Sequence, residues 1–183
     1  CMLIKADVTK DSDCKRIVKT AEKKIGPINV LINNAGKTKF VDFNNLDGLS
    51  KNDFLDIYTC NVVSMFQMVR ACKPSLVKTK NPKIINISSI AALGLGSSIA
   101  YACSKGAVNS LSLSLARTLA PEITVNTICP GYVNTSWHGG KKSMAYNFVY
   151  RSLNDTLTDK RVNKAHQKLI DILCTELSAE IRV

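Results

Sequence analysis

The sequence predicts an α/β fold organised around a parallel sheet. Short apolar runs alternate with longer amphipathic stretches, and three of the runs end in small or polar residues. No tract approaches the length of a membrane span. Met2 to Ala6 reads as a strand, ended by Asp7-Val8-Thr9. Asp11 to Ile25 has helical periodicity, with Cys14, Ile17, Val18, Ala21 and Ile25 on one side and Gly26-Pro27 as its stop. Ile28 to Ile32 is a buried strand, closed by Asn33-Asn34-Ala35-Gly36. A polar stretch leads to Ser50, and a helical region follows from Lys51 to Val77, with a break expected at Lys73-Pro74. Lys83 to Ile87 is the next strand and runs into Ser88-Ser89. Gly94 to Ser98 is loop. A helix from Ala100 to Ala120 should turn Val108, Leu111, Leu115 and Leu119 inward. Thr124 to Ile128 is a further strand, followed by Cys129-Pro130-Gly131, and Val162 to Leu177 again carries helical spacing.

At 183 residues the chain suits one domain. Residues 1–135 read as its core, and residues 136–183 as a substrate-lid segment and helical tail. The formal charge is +11, but the basic residues are dispersed and not interleaved with aromatics. This argues against a nucleic-acid partner and suits an enzyme that draws in phosphate-bearing cofactors or acidic substrates. Seven cysteines, an odd number with no CxxC pair, indicate reduced thiols in a cytoplasmic compartment and neither a disulfide framework nor a zinc site. His138 and His166 are isolated, so no metal site is expected. No secretory leader is evident, and the opening at Cys1 reads as a cut from a longer chain.

In an open parallel sheet, ligands bind beyond the carboxyl ends of the strands. The segments after three predicted strands should therefore converge on one crevice. Within that set, Tyr101 and Lys105 are four residues apart on a predicted helix and share a face. A free phenol, with a pKa of about 10, is a poor base at neutral pH. An ammonium about 4 Å away contributes roughly 4 kcal/mol at an effective dielectric of about 20, on the order of three pKa units. That suffices to make the phenol useful for proton transfer. A serine from a strand end, Ser89 or its neighbour Ser88, would polarise a substrate oxygen. Each element alone has a plainer reading: a core tyrosine beside a solvated lysine, a serine cap, or a turn in which Gly36 supplies a positive φ. For Asn61 the plain reading is a helix-interior amide that satisfies backbone groups.

The ordered set of Asn33-Asn34-Ala35-Gly36, Asn61 in CNVVSMFQ, Ser88-Ser89, Tyr101 with Lys105, and Pro130-Gly131 resembles the short-chain dehydrogenase/reductase family. The resemblance covers Met2 to Thr135. From Lys83 onward it is similar to the oxoacyl-carrier-protein-reductase branch. It implies a Rossmann-like, doubly wound parallel sheet lacking its first βαβ unit, with a divergent helical C-terminal tail. It further implies NAD or NADP as cofactor, a small carbonyl or alcohol substrate, and interconversion of a secondary alcohol and a ketone, in one form reduction of a 3-oxo group. Tyr101 would be the general acid/base. Lys105 would lower the phenol's pKa and hold the nicotinamide ribose. Ser89 would hold the substrate oxygen, and Asn61 would support a proton relay through water. Asp7 and Val8 would flank the adenine, and Asn34, Ala35 and Gly36 would line the cofactor crevice. Pro130, Gly131, Val133 and Thr135 would lie beside the carboxamide. A homodimer or homotetramer is implied, with Val63, Phe66, Leu111 and Leu115 either at the contact or in the core.

The sequence departs from the family in three places. The TGxxxGxG turn that holds the pyrophosphate is absent, and with it the residue that selects NAD or NADP. Ser89 and Tyr101 are twelve positions apart, one fewer than usual. That spacing would select Ser88, whereas the place after the strand selects Ser89. After Thr135 no glycine-bearing closing strand is evident, and Trp137, Tyr146, Phe148 and Tyr150 either line a substrate pocket or pack as an apolar lid. The missing turn raises a competing expectation, a dehydrogenase-like scaffold without catalysis that acts as an oligomerisation module.

Overall fold

The computed structural model describes residues 2–94 and 96–131, together with Lys164, Gln167 and Asp171. The chain falls into two compact units, Cys1–Phe148 and Val149–Val183. In the second, Lys164, Gln167 and Asp171 are helical and exposed, and the Gln167 amide donates to the Asp171 carboxylate one turn on, at 2.9 Å. Val133, Thr135, and the aromatic residues after them lie outside the described residues.

The first unit is built on a three-stranded parallel sheet in the order β1 (Val30–Asn33), β2 (Lys83–Ile87), β3 (Thr124–Ile128). Its connections are helical: α1 (Asp11–Ile25) leads into β1, α2 (Lys51–Tyr58) and α3 (Ser64–Leu76) lead from β1 to β2, and α4 (Ile99–Leu119) leads to β3. A π-helical turn, Thr59–Val63, joins α2 to α3. This is the expected Rossmann-like arrangement of strand, crossover helix, strand.

Local chemistry accounts for the boundaries. Asp11 and Asp13 occupy the first turn of α1 and Lys23 and Lys24 the last, opposite in sign to the helix dipole ends they face. The Asp13 carboxylate also accepts from the Asp7 amide, at 2.7 Å. Gly26, at φ +86°, ends the helix and donates to the Glu22 carbonyl. Ser50 and Asp53 form a reciprocal capping box at the start of α2.

One face of the sheet carries the core. Leu31, Ile84 and Val125 are neighbours in register across the three strands. They pack with Val18 of α1, Val69, Cys72 and Leu76 of α3, and Leu115 and Leu119 of α4. The opposite face leaves Val30 44% and Ile32 58% exposed. Two residues beyond the apolar row, the next inward row is polar: Asn33, Asn86 and Thr127. Asn33 donates to the Asn86 side-chain carbonyl at 2.9 Å, and the Asn86 amide donates to the Ser112 hydroxyl on α4 at 2.8 Å. The sheet therefore turns polar as it approaches its carboxyl ends, and each amide is satisfied, as burial requires.

Several expectations are corrected. Residues 2–6 form no strand, and Leu3 is 98% exposed; among the described residues β1 is the edge of the sheet, and a strand exists only where a ladder partner is present. Pro74 does not break the helix at Lys73-Pro74. It sits in the last turn of α3, where only one backbone bond is forgone, and Ser75 and Leu76 beyond it are held by burial. Ile25, at the terminal residue of α1, is exposed, while Cys14 and Val18 carry the buried face. Leu115 is buried in the core, so it is unavailable to a subunit contact, whereas Val63 and Phe66 remain exposed.

No disulfide links the described cysteines. Cys14 and Cys72 are fully buried, and desolvation pushes the Cys72 thiol up to about 12. Cys103 is exposed on α4. A thiolate-selective reagent at mildly alkaline pH should therefore label Cys103 in the folded protein and spare Cys14 and Cys72. Peptide mapping by mass spectrometry reads the order; labelling of Cys72 before unfolding would contradict the packing of α1 on α3. Among the described residues there is no group of side chains fit to hold a metal ion, and no helix long and apolar enough to cross a membrane.

Candidate active site

The carboxyl ends of the three strands gather the polar segments. Ser88 N–H donates to the Ile128 carbonyl at 2.8 Å, and Ile90 N–H donates to the Pro130 carbonyl at 3.1 Å. These bonds tie the segment after β2 to the segment after β3. The two serines then diverge. Ser88 is buried, and its hydroxyl donates to the Lys105 carbonyl at 3.0 Å, anchoring α4 to the sheet. Ser89 caps a short 3-10 turn, Ile90–Leu93, by accepting from the Ala91 amide at 3.1 Å, and its hydroxyl also meets the Tyr101 phenol.

Tyr101 enters through the cap of α4. Ser98, fully buried, accepts from the Tyr101 amide at 3.3 Å and starts the helix there. Just before it, Gly96 lies at φ +136°, and a Cβ there would meet the Ala91 Cβ at 2.7 Å. Only glycine permits the loop to pass this close to the 3-10 turn. One helical turn beyond Tyr101 is Lys105, 4% exposed, whose ammonium donates to the Ile87 carbonyl at 2.9 Å and lies 5.5 Å from the tyrosine ring centre.

Electrostatics differs here from the sequence expectation. Burial pushes the Tyr101 phenol up, with the bond to Ser89 opposing it, and Lys105 is not what sets the direction. The ammonium is directed at a backbone carbonyl, and burial lowers its own pKa. Desolvation disfavours the charged form of both groups. In the free protein burial therefore favours the protonated form of the Tyr101 phenol.

Asn61, fully buried in the π-helical turn, makes three hydrogen bonds. It accepts from the Lys37 amide at 2.7 Å and donates to the Lys37 carbonyl and the Ser104 hydroxyl, each at 2.9 Å. One side chain thereby fixes the loop after β1 against α4. Gly36 lies beside it without a positive φ; a Cβ there would stand 3.5 Å from the Asn61 carbonyl oxygen and 3.7 Å from the Lys105 ammonium. The Thr38 and Ser97 hydroxyls are in hydrogen-bond contact, and Val41 N–H donates to the Ser97 carbonyl at 3.0 Å.

Two clefts result. The larger, about 960 Å³, is lined by Phe40, Val41, Phe43 and Ile90 with Ser89 and Tyr101. The smaller, about 330 Å³, is lined by Asn34, Gly36, Lys37, Lys105, Pro130 and Gly131, again with Ser89 and Tyr101. The Tyr101 phenol and Ser89 hydroxyl thus stand where the two meet. Asp7, Val8 and Ala35 line neither cleft. The Asp7 carboxylate instead accepts from the Thr9 amide and hydroxyl, which hold it below the usual carboxylate range. Thr38, Phe40, Phe43 and Ser97 have no counterpart among the residues singled out in the sequence. The one available signal was a pair of phenylalanines in a polar stretch that no helix or strand pattern employs.

A family model described as short chain dehydrogenase matches residues 1–145. The chain belongs to the short-chain dehydrogenase family. A protein named as ketoacyl reductase 2 of the granaticin polyketide synthase, from Streptomyces violaceoruber, is 35% identical over 137 residues, 74% of this chain and 55% of that protein. The 3-oxoacyl-[acyl-carrier-protein] reductase FabG of Staphylococcus epidermidis is 32% identical over 132 residues, 71% of this chain and 53% of that enzyme. Among solved structures, a Burkholderia xenovorans protein assigned to the short-chain dehydrogenases/reductases superposes with a TM-score of 0.72 and 44% identity, covering 74% of this chain and 57% of that one. The chain therefore spans about half the length of the short-chain dehydrogenases it matches.

Proposed function

We propose that this short-chain dehydrogenase interconverts a ketone and a secondary alcohol with NAD or NADP, using Tyr101 as general acid/base. The observation that carries the reading is the junction of the clefts: a half-buried phenol and a serine hydroxyl lie between a pocket walled by apolar side chains and one lined by two lysines. The smaller cleft suits the nicotinamide–ribose end of the cofactor. It lies beyond the strand ends, Lys105 and Asn34 offer donors, and the missing Cβ of Gly36 leaves room beside them. Pro130 and Gly131 would border the carboxamide; Val133 and Thr135, assigned the same role, lie outside the described residues. Asp7, Val8 and Ala35 keep their proposed place along the adenine side and crevice rim. When bound, the cofactor supplies the hydride.

The chain's own groups do the rest. Ser89 donates to the substrate oxygen and fixes it against the phenol. Tyr101 gives its proton to that oxygen as negative charge develops. Lys105, one turn away, stabilises the phenolate left behind and orients the ribose. Asn61 holds the loop and leads to a water through which the phenol is recharged.

The divergence of the serines gives a direct test. Ser89→Ala should lower turnover about a hundredfold with little loss of stability. Ser88→Ala should cost about 1 kcal/mol of stability and leave the chemistry nearly intact. Steady-state kinetics beside urea unfolding separates the two; a reversal would move the substrate contact to Ser88. Fluorescence titration of the full-length protein with NADH and NADPH tests the cofactor, and failure of both to bind would favour the scaffold alternative. We place the protein in the cytoplasm as a homodimer or homotetramer, with exposed Val63 and Phe66 at the contact and Leu111 behind them.

A further inference from the structure

The charge and shape of the larger cleft point to a substrate class. We propose that it takes an uncharged ketone with an apolar body and rejects oxo-acids that carry a free carboxylate. This rests on the oxidoreductase reading of the Tyr101 site.

The two clefts share the phenol but differ in polarity. The smaller is lined by two lysines: Lys105, whose ammonium donates to the Ile87 carbonyl at 2.9 Å, and Lys37, whose ammonium pairs with Asp56. Among the described residues lining the larger, the one charged side chain is Asp42, a carboxylate. The nearest cation along that loop, Lys39, pairs with Asp53 at 2.8 Å and does not line the cleft. A carboxylate brought into the larger cleft would lose its water and face Asp42, with no cation among the described residues of that lining to compensate. An apolar body meets the opposite conditions. Phe40 is 83% and Phe43 41% exposed, and Val41 and Ile90 line the same wall. Two phenylalanines held out to solvent at the mouth of a cleft of about 960 Å³ are surface that a small apolar ligand would cover. The loop that presents them is fixed by the Thr38–Ser97 contact and the Val41–Ser97 backbone bond, so the wall exists before the ligand arrives.

A matched pair of probes tests this: benzylacetone, and the oxo-acid in which its methyl group is replaced by a carboxylate. Calorimetry and saturation-transfer NMR on the full-length protein should show benzylacetone binding at least about tenfold more tightly. Phe40→Ala and Phe43→Ala should each weaken the ketone about tenfold. Asp42→Asn should narrow the preference to about threefold. All three positions are at the surface, so the variants should fold, and circular dichroism checks that they do. Equal affinity for the two probes, preference for the oxo-acid, or no binding of either overturns the proposal. Ketone binding without nicotinamide-dependent turnover leaves the specificity standing and removes the oxidoreductase reading. Turnover of the oxo-acid ahead of the ketone does the reverse.

Discussion

Tyr101→Phe is expected to lower ketone reduction about a thousandfold while cofactor affinity and unfolding midpoint stay near those of the parent protein. The substitution removes one oxygen from a ring whose apolar body is half-buried and already packed. What it deletes is the proton donor at the junction of the clefts and its contact with Ser89. The pH dependence of the parent enzyme follows from the direction of the phenol's shift. Burial raises its pKa, so the protonated form persists through the neutral range. Reduction, which needs that form, should be level through neutrality and fall only as pH rises through a value above the ordinary tyrosine pKa of about 10. Alcohol oxidation needs the phenolate and should climb over the same window. Rates in both directions across pH, on parent and variant, check this. A reduction rate that fell through neutral pH would mean that the phenol ionises more easily than its burial allows.

The second large effect is expected at Asn61. Replacing it with Ala removes three hydrogen bonds at once and leaves Ser104 and both backbone groups of Lys37 to find other partners. A loss of about 2–4 kcal/mol in urea unfolding is expected. The consequence should extend beyond stability. Lys37 is followed by Thr38, which lines both clefts, and preceded by Gly36, which borders the smaller. Loosening that loop should weaken nicotinamide binding even though Asn61 lines neither cleft. A variant within about 0.5 kcal/mol of the parent, with unchanged cofactor affinity, would show that the loop holds its place without this amide.

The site and the fold were legible to different extents in the sequence, for physical reasons. The bounds of α1, β2 and β3 agree with those predicted, because helix period, strand composition and end signals agree there. Elsewhere, local signals were overruled by tertiary context. Pro74 carries a strong helix-stop signal, yet it sits where the last turn loses little by it. Residues 2–6 have strand composition, but a strand needs a neighbour to pair with. Gly36 was open to reading as a positive-φ turn residue; its backbone is ordinary, and what matters is the space its missing side chain leaves beside Asn61 and Lys105. Convergence of the strand ends followed from parallel topology, so the grouping of Asn34, Ser89, Tyr101, Lys105, Pro130 and Gly131 was foreseeable. The contribution of the Lys37–Ser50 stretch was not, because contacts such as Thr38 with Ser97 span 59 positions and leave no local pattern. Nor was the direction of the phenol's shift, since spacing places Lys105 near Tyr101 but does not reveal that its ammonium is directed at Ile87.

Transfer of deuterium tests the role of the Tyr101 phenol as proton donor. The full-length protein would be given benzylacetone and a nicotinamide cofactor carrying deuterium at its transferable position, and the alcohol product read by mass spectrometry. Deuterium on the carbinol carbon is expected with the parent protein, and almost none with Tyr101→Phe at saturating cofactor. Deuterated alcohol formed equally well by that variant would contradict the assignment of the phenol as proton donor.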